Sequence, residues 1–343
     1  MPNTVRYLSE GVAPSFVASV EETVRACEGA LFALTDKAGA HGPGRADLPA
    51  KVPVAVVRGA AFAHAMPAAV TVAGERIVGL KWIAGDPARP PPTIGGVILL
   101  EDPSGGGLRG IVAAAGLTGA RTAAVTAAAL RAVPPRTERA ASGAPWRVAL
   151  VAGGVQAFSH RAALAELWPE ATVGFVTRRP QHELPLREGD DAVGPARLMD
   201  ALADADVVIT SVAFGTVGRE IDAAWLAPGA TVVASDYATA VTAATLAGIR
   251  QQDGDEVPRL IVDDAEQFDA TRASGKLPGY PPADATLGQL LADQGGLGRR
   301  LRERTVGTTV VVNHLGVAVC DLAVAWGVLL AAEAAGAGVE LPR

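Results

Sequence analysis

Two short runs in this chain carry residue types that could grip an anion and cradle a diphosphate. Leu117-Thr118-Gly119-Ala120-Arg121-Thr122-Ala123-Ala124 sets a single cation among small, apolar neighbours. A guanidinium placed there can make a bidentate, charge-assisted fork to a carboxylate. A surface helix arginine is the competing reading. Further on, Arg147-Val148-Ala149-Leu150-Val151 runs into Ala152-Gly153-Gly154-Val155-Gln156-Ala157. An apolar strand, a glycine turn and a helix aim bare backbone N–H groups and the helix dipole at a pyrophosphate. Gly154 stands where the backbone must approach phosphate most closely. Ala152 and Ala157 replace the first and third glycines of G-x-G-x-x-G. An ordinary strand-to-helix turn would read the same way.

The next strand sharpens the choice. A site for NAD usually closes that strand with an acid about 20 residues past the glycines, to hold the ribose 2′-hydroxyl. Here Val173–Val176 is followed by Thr177-Arg178-Arg179, without an acid. A hydroxyl and two guanidinium groups suit a 2′-phosphate, so NADP is favoured, with NAD possible; a solvated pair of loop charges is the alternative. Lys81 lies in the apolar run Val78-Gly79-Leu80-Lys81-Trp82, where an unpaired ammonium is costly. An anionic ligand would offset that cost, and a side chain reaching out to solvent would avoid it. Asp236 follows the apolar run Thr231–Ala234, at the carboxyl end of a predicted strand. In a doubly wound sheet that end faces the ligand crevice, and partial burial would raise its pKa towards proton exchange with an amine. A helix N-cap is the other role open to it.

These groups need elements to hold them. Phe16–Leu34 has helical spacing of apolar residues, with Glu21 and Glu22 opposite. Val52–Arg58, Ala68–Val72, Ile77–Ile83, Ile94–Glu101 and Leu108–Ala113 read as strands with turns between them, hence a mostly antiparallel or mixed sheet. The proline-rich Asp86–Pro92 reads as a loop. Thr118–Val133 is helical and ends at Pro134-Pro135. From there strands alternate with helices: Val148–Val151, Thr172–Thr177, Val207–Ser211 and Thr231–Ser235 predict a parallel, doubly wound sheet. Gly295–Gly298 reads as a flexible turn. A C-terminal apolar helix around Gly316–Ala335 is expected to pack on the N-terminal sheet or bridge the domains.

At 343 residues, 49% hydrophobic and 19% charged, the chain is globular and long enough for two domains. With 4% aromatics the core must come from Ala, Val and Leu. A net charge of −6 argues against nucleic acid as a partner; the basic islands Arg178–Arg179 and Arg299–Arg304 carry no interleaved aromatics. Cys27 and Cys320, far apart and outside any CxxC spacing, read as buried thiols in a reducing cytoplasm. The N-terminus shows no signal-peptide pattern. Asn313, His314, Asp321 and Glu333 interrupt the apolar stretch Thr309–Ala335, so it reads as buried core and not as a membrane span. The five histidines lack ligand spacing, so no metal is expected. His160 reads as structural, and Asp321 as capping or orienting a helix.

Taken in order, several motifs resemble the ornithine cyclodeaminase/μ-crystallin family, from about Met66 to the C-terminus. They are Met66-Pro67-Ala68, Lys81, Leu117–Ala124, Gly154-Val155-Gln156-Ala157, Ala205-Asp206-Val207-Val208-Ile209-Thr210, Trp225–Ala230 and Leu315–Asp321. The resemblance implies an α/β fold: a Rossmann-type doubly wound domain over 121–314, beside an α+β substrate and dimerisation domain of 1–120 plus 315–343. It implies a homodimer acting on small amino or imino acids with NAD or NADP, and the cysteine usage makes the expected location cytoplasmic. Lys81 and Arg121 would face the substrate carboxylate, and Asp236 would be the acid/base near the amine. Lys51 stands where many members carry an arginine, and a lysine lacks the planar fork. Thr122, Gly153, Gly154, Val155, Gln156, Thr177, Arg178, Arg179 and Ser211 form the expected cofactor set. The leading expectation is an imine reductase or amino-acid dehydrogenase. A redox-neutral cyclodeaminase and a non-catalytic NADPH-binding protein are the alternatives.

Overall fold

The computed structural model describes residues 4–37, 44–54, 56, 61–86, 93–103, 105–213, 216–252 and 254–343. The chain opens with β1 (Thr4–Leu8), a 3₁₀ turn at Ala13–Phe16 and α1 (Val20–Ala33). The helix expected over Phe16–Leu34 thus begins later. Ser19 and Glu22 start it with a reciprocal capping box: the Glu22 amide donates to Ser19 Oγ at 3.3 Å, and the Ser19 amide to Glu22 Oε2 at 3.1 Å. Two amides that a helix start leaves bare are satisfied this way. Strands β2 (Ala46–Asp47), β3 (Val52–Val54), β4 (Phe62–Val72), β5 (Glu75–Gly85), β6 (Ile94–Glu101) and β7 (Leu108–Ala113) follow, then α2 (Ala115–Ala132).

The middle of the chain holds α3 (Glu138–Ala141), β8 (Arg147–Val151), α4 (Val155–Leu167), β9 (Thr172–Val176), β10 (Asp191–Val193), α5 (Leu198–Ala203), β11 (Val207–Thr210) and β12 (Thr231–Ala234). Next come α6 (Ala243–Gln251), β13 (Leu260–Val262), α7 (Ala265–Ala273), β14 (Ala285–Thr286), α8 (Leu287–Leu291), α9 (Leu297–Arg302) and β15 (Val310–Asn313). The chain closes with α10 (Ala318–Ala334) and β16 (Val339–Pro342).

Two compact units result: Met1–Ala124 with Gly316–Arg343, and Val125–Leu315. In the first, a mixed sheet runs in the order β16-β1-β7-β6-β5-β4-β2, with β3 also on β4. Its β4 to β7 pairs are antiparallel, while β1 joins β7 in parallel. The strand expected at Ala68–Val72 starts six residues earlier, at Phe62, and carries Met66-Pro67 in its middle. Pro67 is tolerated because β3 covers Ala63–Ala65 and β2 covers Ala69–Val70, leaving the proline between them. Helix α10 packs on α1, β4 and β5, as an apolar helix buried nearly all round must. Arg109 seals it, pairing with Glu333 at 2.7 Å and stacking on Trp326 at 4.7 Å. Cys27 and Cys320 are buried free thiols.

In the second unit every strand pairing is parallel, in the order β10-β9-β8-β11-β12-β15-β13-β14. The order reverses between β8 and β11, the switch point where such sheets take ligands. Strands β13, β14 and β15 extend the sheet beyond what alternation in the sequence showed. Gly295 and Gly296 do turn, at φ 61° and 71°, but Gly298 is inside α9, where an added Cβ would sit 2.5 Å from the Leu290 carbonyl oxygen. Arg304 is no part of a surface basic island: it is buried and donates to the Leu301 and Thr308 carbonyls and to Thr231 Oγ1. The strand expected over Val52–Arg58 is found over Val52–Val54, and residues 55, 57–58 and 87–92 lie outside the described residues.

Candidate active site

In the first unit, β5 delivers Lys81 and the start of α2 delivers Arg121 to the same carboxylate. Asp321 Oδ1, in the first turn of α10, accepts Lys81 Nζ at 2.7 Å and Arg121 Nε at 2.8 Å. Lys81 also donates to Thr118 Oγ1 at 2.8 Å. Lys81 is thus neither paired only by a ligand nor reaching to solvent: its counter-ion comes from the chain. Asp321 is not a cap but a bridge. Its place in an apolar helix was the available signal, because a buried carboxylate there requires cationic partners.

The charges do not cancel. Lys81 and Arg121 face one acid, and Lys51, just before β3, lies near enough to depress Lys81 as well. Burial lowers Lys81 to about 8, with Asp321 opposing and Arg121 adding to the fall. Burial would raise Asp321, but Arg121 and Lys81 overcome it and hold the carboxyl below the usual range. Arg121 spends its Nε on Asp321, so its two terminal nitrogens remain as a fork. They lie against Gly316, where an added Cβ would sit 2.7–2.8 Å from them. Gly316 also holds φ 79°, a conformation that favours glycine.

In the second unit, β8 feeds the glycine turn and α4. Gly154 is the N-cap, with no side chain capping the helix, and a Cβ there would meet open space. The first amides of α4, from Val155 and Gln156, are therefore available to an anion. A Cβ on Gly153 would instead fall on the Thr177 hydroxyl, so the turn is pressed against the end of β9. Arg179 fixes that contact, its Nε donating to the Gly153 carbonyl at 2.5 Å and its Nη1 pairing with Glu183 at 2.8 Å. Thr177 Oγ1 accepts the Arg179 amide, while Arg178 is exposed. The two arginines, alike in sequence, differ in place: Arg178 is exposed, while Arg179 is half-buried and engaged with Gly153 and Glu183.

Asp236 follows β12 and is 1% exposed. It does not cap a helix: Thr242 caps α6, and Asp236 Oδ2 accepts the Val212 amide at 3.1 Å. Burial pushes its carboxyl up to about 6, against the pull of that amide. The Thr210 hydroxyl faces this carboxyl and pulls against the rise, but Asp236 Oδ1, Asn313 Oδ1 and Gln156 Oε1 are buried without a well-formed hydrogen bond. Thr210, Ala234 and Asn313 stand in register across β11, β12 and β15, and Val151 of β8 completes the row. Unsatisfied buried polar atoms are rare; those of Asp236 and Asn313 lie at the carboxyl ends of adjacent parallel strands, and that of Gln156 in the first turn of α4 after the glycine turn. That donor and acceptor set fits the amide and ribose groups of a dinucleotide.

Other expected cofactor contacts are less open. Thr122 gives its hydroxyl to the Thr118 carbonyl at 2.6 Å inside α2, and the Ser211 amide is bound to the Val151 carbonyl at 3.1 Å. Thr210 and Asn313 were not singled out from the sequence. Their polarity at the ends of apolar runs was the only signal.

The profile of the ornithine cyclodeaminase/mu-crystallin family matches residues 17–334, and the chain belongs to that family. It is 28% identical over 190 residues to the nodulation efficiency protein NfeD of Rhizobium meliloti, a match covering 51% of this chain and 55% of that protein. The chain thus spans about half the length of this curated relative. Its fold is similar to the structure of CmnK, with 25% identity, TM-score 0.76, and 99% and 98% of the two chains covered. It is also similar in fold to Thermococcus litoralis Δ(1)-pyrroline-2-carboxylate reductase in complex with NADH and L-proline. There the identity is 17%, the TM-score 0.75, and 98% and 100% of the two chains are covered. Among the described residues no helix is long and apolar enough to cross a membrane.

Proposed function

We propose that the chain is an NADP-preferring oxidoreductase acting at the C–N bond of a small α-amino or imino acid. The observation that carries this reading is Asp236: a buried carboxyl raised to about 6, with one oxygen lacking a well-formed hydrogen bond, at the carboxyl edge of a parallel sheet that also carries an uncapped glycine turn. When bound, the nicotinamide supplies or takes up the hydride at the substrate's Cα. The chain does the rest. Arg121 and Lys81 hold the substrate carboxylate, with Lys51 adding to the positive field, and Asp236 exchanges the nitrogen-bound proton. The solved relative bound to NADH and L-proline supports this substrate class. The exposed Val52, Val54, Val78, Trp82 and Ile94 of the mixed sheet favour a homodimer.

The test is a screen of NADPH oxidation against cyclic imines, and against 2-oxo acids with amines, repeated with Arg121→Ala. Net oxidation that Arg121→Ala weakens supports the reading; equal turnover removes Arg121 from the site. The family's name also keeps a redox-neutral cyclodeaminase in view, which would release ammonia without net cofactor change.

Cofactor preference has its own test. Arg179 is already engaged, so Arg178 is the guanidinium left for a 2′-phosphate. Arg178→Glu is expected to weaken NADPH binding by about tenfold or more, the scale of a charge-assisted hydrogen bond, with NADH changed far less. Titration of both cofactors by fluorescence measures this. Equal weakening of the two would remove the preference.

A further inference from the structure

Beneath the glycine turn lie two buried imidazoles with one hydroxyl between them. Thr126 Oγ1, on α2, is 2.9 Å from His160 Nε2 and 3.0 Å from His314 Nε2. His160 Nδ1 is 2.7 Å from the carbonyl of Gln156, in the first turn of α4. All three residues are at most 2% exposed, and none has a place in the chemistry proposed above.

The bonding partners assign the protons. A carbonyl oxygen only accepts, so His160 Nδ1 carries a hydrogen. Burial lowers His160 to about 4, so its ring is neutral near pH 7 and its Nε2 is a bare acceptor. Thr126 has one hydroxyl hydrogen, which His160 Nε2 takes. The Thr126 oxygen must then accept from His314 Nε2–H. Every link runs one way: His314 to Thr126, Thr126 to His160, His160 to the Gln156 carbonyl.

We infer that Thr126 and His160 are positioning residues for the cofactor, fixing through this one-way chain the peptide of Gln156 and so the first turn of α4. Only a hydroxyl at 126 serves, because the same atom must donate to one ring and accept from the other. The role rests on the dinucleotide reading of this unit. It goes beyond that reading by placing part of the affinity in side chains that touch no ligand.

The test has two arms. In protein labelled with ¹⁵N-histidine, two-bond nitrogen–proton spectra, assigned through single His→Gln variants, are expected to show His160 as the Nδ1–H tautomer and His314 protonated at Nε2. His160 found as the Nε2–H tautomer or as imidazolium near pH 7 would overturn the chain. In the second arm, Thr126→Val and Thr126→Ser are titrated with NADPH and NADH. Valine has nearly the same shape and no hydroxyl, so it is expected to raise the Kd for both about tenfold, and serine to stay within about twofold of the parent. In turnover the KM for cofactor rises while the KM for substrate holds. Valine and serine variants that bind alike would show the chain to be merely structural. Failure of the unaltered protein to bind either dinucleotide would overturn the proposed function, while the tautomer spectrum still judges the chain by itself.

Discussion

Asp236→Asn is expected to cut turnover by about 10²–10⁴-fold, the usual worth of a positioned acid or base, and at the same time to stabilise the protein. Burial moves this carboxyl from 3.8 to about 6. Its folded pKa lies above the unfolded one, so between those values the folded state holds the proton more tightly. Stability from that proton is present in acid and is lost as pH rises through about 6. Near neutral pH the fold therefore carries an ionised, desolvated group at a cost of about 2–3 kcal/mol. Asparagine still accepts the Val212 amide and brings no charge. Urea denaturation should show the variant gaining stability at pH 7.5 and losing that gain near pH 4. Activity lost with stability gained marks a group kept for chemistry. A variant less stable than the parent at pH 7.5 would show that Asp236 is paired in a way the fold requires. If Asp236 donates its proton to the developing amine, kcat/KM for reduction should fall as pH rises above about 6.

The second large effect is expected at Asp321. Asp321→Asn leaves Lys81 and Arg121 buried without their shared counter-ion, a loss of about 3–5 kcal/mol. Lys81 loses the one charge that raises its pKa and falls further below about 8. Affinity for a carboxylate substrate should then be lost at a lower pH than in the parent, where it declines as pH rises through about 8. A cycle with Lys81→Met separates fold from function. The single changes should couple by roughly 2 kcal/mol or more, because Asp321→Asn strands two buried cations when Lys81 is present and only Arg121 when it is absent. Additive stabilities would mean that the bridge carries no energy.

Much of this was legible in the sequence. Thr118–Val133 and the four strands from Val148 to Ser235 lie within a residue or a few of α2, β8, β9, β11 and β12, because period and flanking prolines and glycines are local signals. Lys81, Arg121 and Asp236 stood out as charges in apolar settings, and all three are buried. What could not be read was pairing at a distance. Asp321 lies 240 residues from Lys81, and nothing local names the partner. The short β13, β14 and β16 escaped for a related reason, since their pairing and not their composition makes them strands. Arg304 looked like part of a basic run, but its three bonds to the interior come from the tertiary fold.

In the proposed reaction, hydride moves between the nicotinamide and the substrate's Cα. Reduced cofactor carrying deuterium at the transferable C4 position, incubated with a cyclic imino acid and followed by mass spectrometry, tests it directly. The label is expected at Cα of the product, one equivalent for each cofactor oxidised, with a rate sharply lower in Asp236→Asn. Cofactor that stays reduced across the imine panel, or product formed without the label, would contradict it.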